Sequence, residues 1–278
     1  MLLAIAGENN LSETAFWRTR DIAARQYDLR WFTPTTEVDL CGHATLSTAH
    51  VIMNELGGEP QSASLTFFTK SGPLLVKALE DGRLQMDFPM YTNQSRPDLI
   101  QAVGEALGTQ PIEVLWAEGN RDAVAIFGSS ACILNLRPKF PLFAALPCLA
   151  VIATAVMDSG MKGEEVVSCE TTAPLSTYDF VYRFFGPKIG ITEDPVTGSA
   201  QCSIAPIWSL RLGKTKLISQ QVSQRRGDVW AECVTEGGVG QAECGRVLVS
   251  GRAVTVIRGQ ILVPSSTHGS KEETKHHT

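Results

Sequence analysis

Three stretches of this chain carry residue types that move protons or hold anions. Glu13 closes the sequence NLSE just before a predicted strand. Cys41-Gly42-His43 opens a predicted helix, and Asp194 stands in GITEDPVTGSAQCS, residues 190–203, ahead of Gly198, Ser199 and a second predicted helix. A carboxylate shielded from water is a general base for a carbon-bound proton if burial raises its pKa toward neutrality. The first amides of a helix lack intrahelical partners and its dipole favours negative charge, so a helix start flanked by small residues suits a carboxylate or a developing enolate. Each stretch also has a plainer explanation: Glu13 as a solvated or capping acid, and Thr197-Gly198-Ser199 as an ordinary helix cap.

The elements that would position these residues are legible around them. Asp194-Pro195 ends an extended segment, because the residue before a proline is pushed out of the helical region, and a helix follows from about Ser199 to Leu212-Gly213. Upstream, Ala49, Ile52, Met53 and Leu56 recur at helical spacing, which predicts a helix from about Gly42 to Leu56, stopped by Gly57-Gly58. The two helix starts share one plan, small residues beside a polar side chain and then an apolar helix, as expected of two halves of similar design. At such a start the dipole disfavours an imidazolium, so His43 is expected to be neutral. His50 lies seven residues on, too far for the four-residue helical chelate, and is expected to be structural.

Further helices are predicted at residues 2–9, 98–107 and 140–146. Strands are predicted near 27–33, 64–69, 72–79, 83–88, 114–116, 123–127, 131–134, 148–156, 178–185, 216–222, 228–233, 246–250 and 253–258. Residues 91–98 are expected to be a linker, 158–177 a polar surface excursion, and 264–278 a disordered tail. The run FPLFAALPCLAVIATAVM, residues 140–157, is apolar enough to raise a membrane helix, but Pro147 divides it and a short helix followed by a buried strand explains it better.

The chain has 278 residues, 44% hydrophobic, with a formal net charge of -5 and no basic cluster interleaved with aromatics, which argues against a nucleic-acid surface. Its seven cysteines include no CxxC pair, a pattern that suits a reducing cytoplasm. Residues 1–6, MLLAIA, are too short for a signal peptide and have no basic flank. A dinucleotide fingerprint, P-loop, zinc spacing and GxSxG elbow are all missing.

Together NLSETAF (residues 10–16), RWFTPTTEVDLCGHATLSTAHV (30–51) and EDPVTGSAQC (193–202), with YDFVYRFFGPKIGI and SGRAVTVIRGQIL, resemble the PhzF family of phenazine-biosynthesis-like isomerases. The resemblance runs from residue 2 to about residue 263. It implies an α/β (α+β) diaminopimelate-epimerase-like fold: two similar halves, each a curved sheet around a central helix, with the site between them. The expected halves are residues 1–90, completed by 253–263, and 91–252.

The resemblance also implies that Glu13 is the acid/base and that Gly42, His43, Asp194, Gly198 and Ser199 bind substrate. The function it implies is a cofactor-independent isomerase, without metal, that moves a proton between carbons of a small carboxylated metabolite. A homodimer is implied as well. Family members carry an additional opening strand and a GNPAAV-like turn ahead of the helix at which this chain starts, so an open sheet edge is expected in the first half. Two other functions stay open. One is a non-catalytic small-molecule-binding protein. The other is a two-thiol racemase using Cys41, which the lack of a cysteine at the second helix start disfavours.

Overall fold

The computed structural model describes residues 1–56, 64–158, 177–235 and 245–262, with two short strands at 165–167 and 172–174. Its elements in chain order are α1 (Leu2–Asn9), β1 (Thr14–Asp21), β2 (Gln26–Phe32), β3 (Glu37–Val38), α2 (Gly42–His50), β4 (Ser64–Thr69), β5 (Gly72–Ala78), β6 (Leu84–Pro89) and β7 (Asn93–Ser95). They continue as α3 (Ile100–Leu107), β8 (Glu113–Ala117), β9 (Asp122–Ile126), α4 (Ser130–Leu134), α5 (Phe140–Phe143), β10 (Val151–Val156), β11 (Glu165–Val167), β12 (Thr172–Pro174), β13 (Phe180–Phe185), α6 (Gln201–Leu212), β14 (Lys216–Gln221), β15 (Gly227–Thr235) and β16 (Gly245–Gly251). One sheet runs β1-β2-β4-β5-β6-β16-β15-β14-β13-β10-β9-β8-β7, with β3 beside β2, while β11 and β12 pair apart from it. The step from β6 to β16, with Phe88 opposite Val247, makes the two parts of the sheet continuous.

Two burial regimes account for the sequence patterns. In β6 alternate residues are buried, as on a sheet with one covered face. In β9 all five residues are buried: after Asp122, Val124 and Ile126 join the core around α2 and α6 while Ala123 and Ala125 join a second core under α3, α4 and α5. The apolar run at residues 140–157 belongs to this doubly covered layer, and no helix among the described residues is long and apolar enough to cross a membrane.

The two central helices differ in how they tolerate burial. On α2, Thr45 and Thr48 are buried, and their hydroxyls donate back to the Cys41 and Ala44 carbonyls at 2.6 and 2.8 Å. It continues as a π-helix over Val51–Leu56, which places Ile52 and Met53 in the core and extends the helix to the length expected. On α6, Pro206 has no N–H for the Cys202 carbonyl, four residues back. The Tyr91 N–H takes that carbonyl at 2.9 Å, and the Asn93 amide takes the neighbouring Ser203 carbonyl at 3.0 Å. The expected linker is therefore fastened to α6, and part of it forms β7 against β8.

Two other expectations are corrected. Residues 131–134 are helical rather than extended: Ser129 caps α4, and the Asp158 carboxylate accepts from the Ser130 amide and hydroxyl at 2.9 and 2.8 Å. Residues 253–258 form no strand, since β16 immediately before them is flanked on both sides. They are tied instead by Thr255 and Arg258 to the Glu55 carboxylate. The stop at Gly57-Gly58, most of the 158–177 excursion and the 264–278 tail lie outside the described residues.

Trp208 of α6 stacks on Phe180 and donates its indole N–H to the Thr154 hydroxyl at 3.0 Å, which in turn donates to the Val181 carbonyl at 2.8 Å. Thr154→Val is expected to strand the buried indole N–H and lower stability by about 1–3 kcal/mol in urea unfolding, with Thr154→Ser recovering most of the loss.

Candidate active site

The site exists because the starts of α2 and α6 meet head to head. A side chain at Gly42 would begin 3.3 Å from the Gly198 Cα and 3.6 Å from the Gly198 and Ser199 amide nitrogens. A side chain at Gly198 would in turn lie 3.7 Å from the Gly42 Cα. The approach is tight at Gly42, whereas a side chain at Gly198 would meet only ordinary van der Waals contact. The turn before α6 is tight, with Gln201 and Cys202 amides donating three residues back to Gly198 and Ser199, so helical bonding begins at the position read from the sequence although α6 proper starts at Gln201.

Asp194 is brought here from the end of β13, its amide donating to the Phe184 carbonyl at 3.1 Å. It is 3% exposed, and burial raises its carboxyl above the ordinary 3.8, with His43 pulling the other way. The Thr197 hydroxyl donates to its Oδ2 while Oδ1 has no hydrogen-bond partner. Gln221 of β14 braces the loop, its Oε1 accepting from the Thr197 amide at 2.6 Å and its Nε2 donating to the Asp194 carbonyl. Buried Tyr182 donates to the Thr197 carbonyl at 3.2 Å.

From the other half, Glu13 arrives at the start of β1 with its side chain 7% exposed. Its Oε2 lies 3.0 Å from His43 Nε2, yet that oxygen is buried and has no aligned hydrogen-bond donor. Ser12 Oγ is 3.3 Å from the same nitrogen. The Cys41 sulfur is 3.8 Å from both ring nitrogens, and Asp194 Oδ2 is 3.9 Å from Nδ1.

This setting corrects the expectation that the helix dipole keeps His43 neutral. Burial does work against protonation, but the partners packed around the ring, Cys41 and the carboxylates of Glu13 and Asp194, outweigh it and raise the imidazole well above its ordinary 6.5. Burial pushes the Cys41 thiol up, against the pull of His43, and it pushes Cys202 inside α6 to about 12. The second helix start therefore presents no reactive thiol. Glu13, Cys41 and His43 offer ligand atoms all within 4.8 Å of one another, the donor set a metal would meet here. His50 is bonded to Asn54 at 3.0 Å, away from the cluster.

The main cleft, about 860 Å³, is lined by Ser12, Glu13, His43, Ser47, Pro195 and Arg225 among others. A smaller hollow of about 120 Å³ continues past His43 and Gly198 toward Arg252. Glu13, Gly42, His43, Asp194 and Gly198 thus converge, and Ser199 joins them through its amide. Sequence reasoning missed Ser12 and Gln221. Ser12 carried a weak signal in its adjacency to Glu13, but Gln221 sits in a strand whose pattern reports only burial.

The family model described as phenazine biosynthesis-like protein (PhzC-PhzF) matches residues 1–259. An uncharacterized isomerase of Pseudomonas aeruginosa is 41% identical over 262 residues, covering 94% of this chain and 86% of that protein. The human phenazine biosynthesis-like domain-containing protein is 32% identical, covering 92% of this chain and 86% of its own length. The crystal structure of a PhzF-family protein from Enterococcus faecalis superposes with a TM-score of 0.77 at 36% identity, covering 94% of this chain and 87% of that one. A predicted epimerase from Pseudomonas aeruginosa, 18% identical, shares the fold at a TM-score of 0.64, covering 95% of this chain and 88% of its own. The architecture is the diaminopimelate-epimerase-like α+β fold.

Gly42→Ala is expected to fold but to part the two helix starts by a few tenths of an ångström, lowering ligand affinity or turnover on the order of tenfold, as read by titration or rate. A second expectation concerns pH. A histidine whose folded pKa is raised contributes stability that is fully present below its unfolded value and is lost as pH rises through its folded value. Unfolding free energy should therefore decline as pH rises above 6.5, and His43→Gln should flatten that decline.

Proposed function

The chain belongs to the phenazine biosynthesis-like (PhzC-PhzF) family and is an isomerase-type enzyme, and from this premise we propose that it moves a proton between two carbons of a small carboxylated metabolite with Glu13 as the acid/base. The observation that carries this reading is Glu13 in the wall of the cleft, its buried Oε2 beside His43 without an aligned donor of its own. Such an oxygen has a lone pair available to a substrate C–H, and its protonated form keeps the proton from bulk water.

In the first step a C–H bond next to a carboxylate or carbonyl breaks, its proton forms an O–H bond on Glu13, and the electron pair delocalises into the unsaturated system. In the second step that O–H breaks and a C–H forms at the far carbon, leaving the protein unchanged. His43, held as a cation, and the amides of Gly42, Gly198 and Ser199 oppose the negative charge that develops between the steps. Removing one such donor typically costs about 3 kcal/mol of transition-state stabilisation. Asp194, braced by Thr197 and Gln221, orients His43 and a polar group of the substrate. The cleft lies between the proposed halves, residues 1–90 and 91–252, and we place the protein in the cytoplasm, where its described cysteines, all free, stay reduced.

The test is a screen of small unsaturated and keto carboxylic acids in deuterium oxide, followed by mass spectrometry. Carbon-bound deuterium is expected with the native chain and should fall at least ~10³-fold in Glu13→Gln. Cys41→Ser is expected to keep most of the exchange. Exchange that survives Glu13→Gln but is lost in Cys41→Ser would assign the chemistry to the thiol. Ligand binding without any exchange would make the protein a binder.

A further inference from the structure

We propose that the hollow beside His43 is a subsite for a second carboxylate of the substrate, held by Arg225 with Arg226 and Arg252, so that the cleft takes a small dicarboxylic acid. The proposal rests on the reading of the cleft as a small-carboxylate site and adds the class of acid. Arg225 lines both the main cleft and the hollow, and Arg226 and Arg252 line the hollow.

These three guanidinium groups are not locked into close ion pairs, although Arg225 acts at longer range on Asp194 and Arg252 on Asp81. In this acid-rich chain Arg18, Arg30, Arg83, Arg96, Arg183 and Arg211 each form an ion pair with a nearby carboxylate. Arg225, Arg226 and Arg252 have no hydrogen-bonded or ion-paired side-chain partner among the described residues. Their turn is nevertheless built. The Ser223 hydroxyl donates to the Pro195 carbonyl at 2.8 Å and accepts from the Arg226 amide at 3.0 Å, with Arg226 at a φ of 62°. The turn is thereby fastened to the residue after Asp194, and Arg225 is close enough for its charge to act on that carboxyl.

Asp228 also lines the hollow, but its Oδ1 accepts from Tyr178 at 2.7 Å and from Gln220 at 3.1 Å. A guanidinium offers two parallel N–H groups matched to a carboxylate, and clustered cations beside a partly enclosed hollow favour a fixed anion over solvent. One carboxylate at the helix starts and a second at Arg225 would fix the substrate at two points, leaving its middle carbons beside Glu13.

Calorimetric titration with succinate and glutarate against butanoate and pentanoate tests this, with inorganic phosphate as a further ligand. The diacids are expected to bind at least ~10-fold more tightly than the monoacids of equal length. Arg225→Gln should abolish that preference without moving the thermal transition, because Arg225 is exposed, whereas Arg96→Gln at a distant ion pair should keep it. Equal binding of mono- and diacids, absence of diacid binding, a preference that survives Arg225→Gln, or tighter binding of phosphate than of either diacid would overturn the proposal. Glu13→Gln separates it from the catalytic reading, since the preference should survive there. A native chain that prefers diacids yet exchanges no carbon-bound proton would retire the catalysis and keep the subsite.

Discussion

The structure depends on one steric constraint, the contact of two helix starts at Gly42 and Gly198. Each start leaves backbone amides without intrahelical partners, and bringing both to one point concentrates donors of the same polarity that no ordinary packing would place together. That arrangement is costly without negative charge nearby, and Glu13 and Asp194 supply it from opposite sides. The sheet on either side serves this geometry, because the ladder between β6 and β16 ties the two parts together and fixes how far apart the helices stand.

The acids pose the opposite difficulty, since a buried carboxylate needs donors. Asp194 meets it through Thr197, and Gln221 holds the loop so that Thr197 stays in reach. Glu13 instead meets His43, whose position at a helix start would by itself discourage a proton. The carboxylates of Glu13 and Asp194 on either side of the ring outweigh the dipole, which acts through partial charges and fades within a turn.

Much of this was legible in the sequence because local rules and the fold agree. Both helix starts were visible from small residues next to a polar side chain and from Asp194-Pro195, and Glu13 stood out through the NLSE block. The strand at residues 83–88 was also legible, and in the structure its alternate residues are buried. What escaped were facts set by tertiary contact. Residues 131–134 have strand-like composition, but Ser129 and Asp158 cap them as a helix. Residues 253–258 alternate like a strand without a free edge beside them. Gln221 and Arg225 act through positions reached only when β14 and its following turn lie against the Asp194 loop, and no local pattern reports that. The charge of His43 was misjudged for the same reason, because its acidic neighbours come from residues far off in the chain.

The proline of α6 has a mechanical consequence. By freeing the Cys202 carbonyl for Tyr91, it staples the crossing segment between the two parts of the chain onto the helix that forms one wall of the cleft. With the walls already touching at their base and the crossover riveted to one of them, the molecule has little freedom to work as a jaw. It is better described as a fixed aperture, whose width is set by the backbone contact at its base.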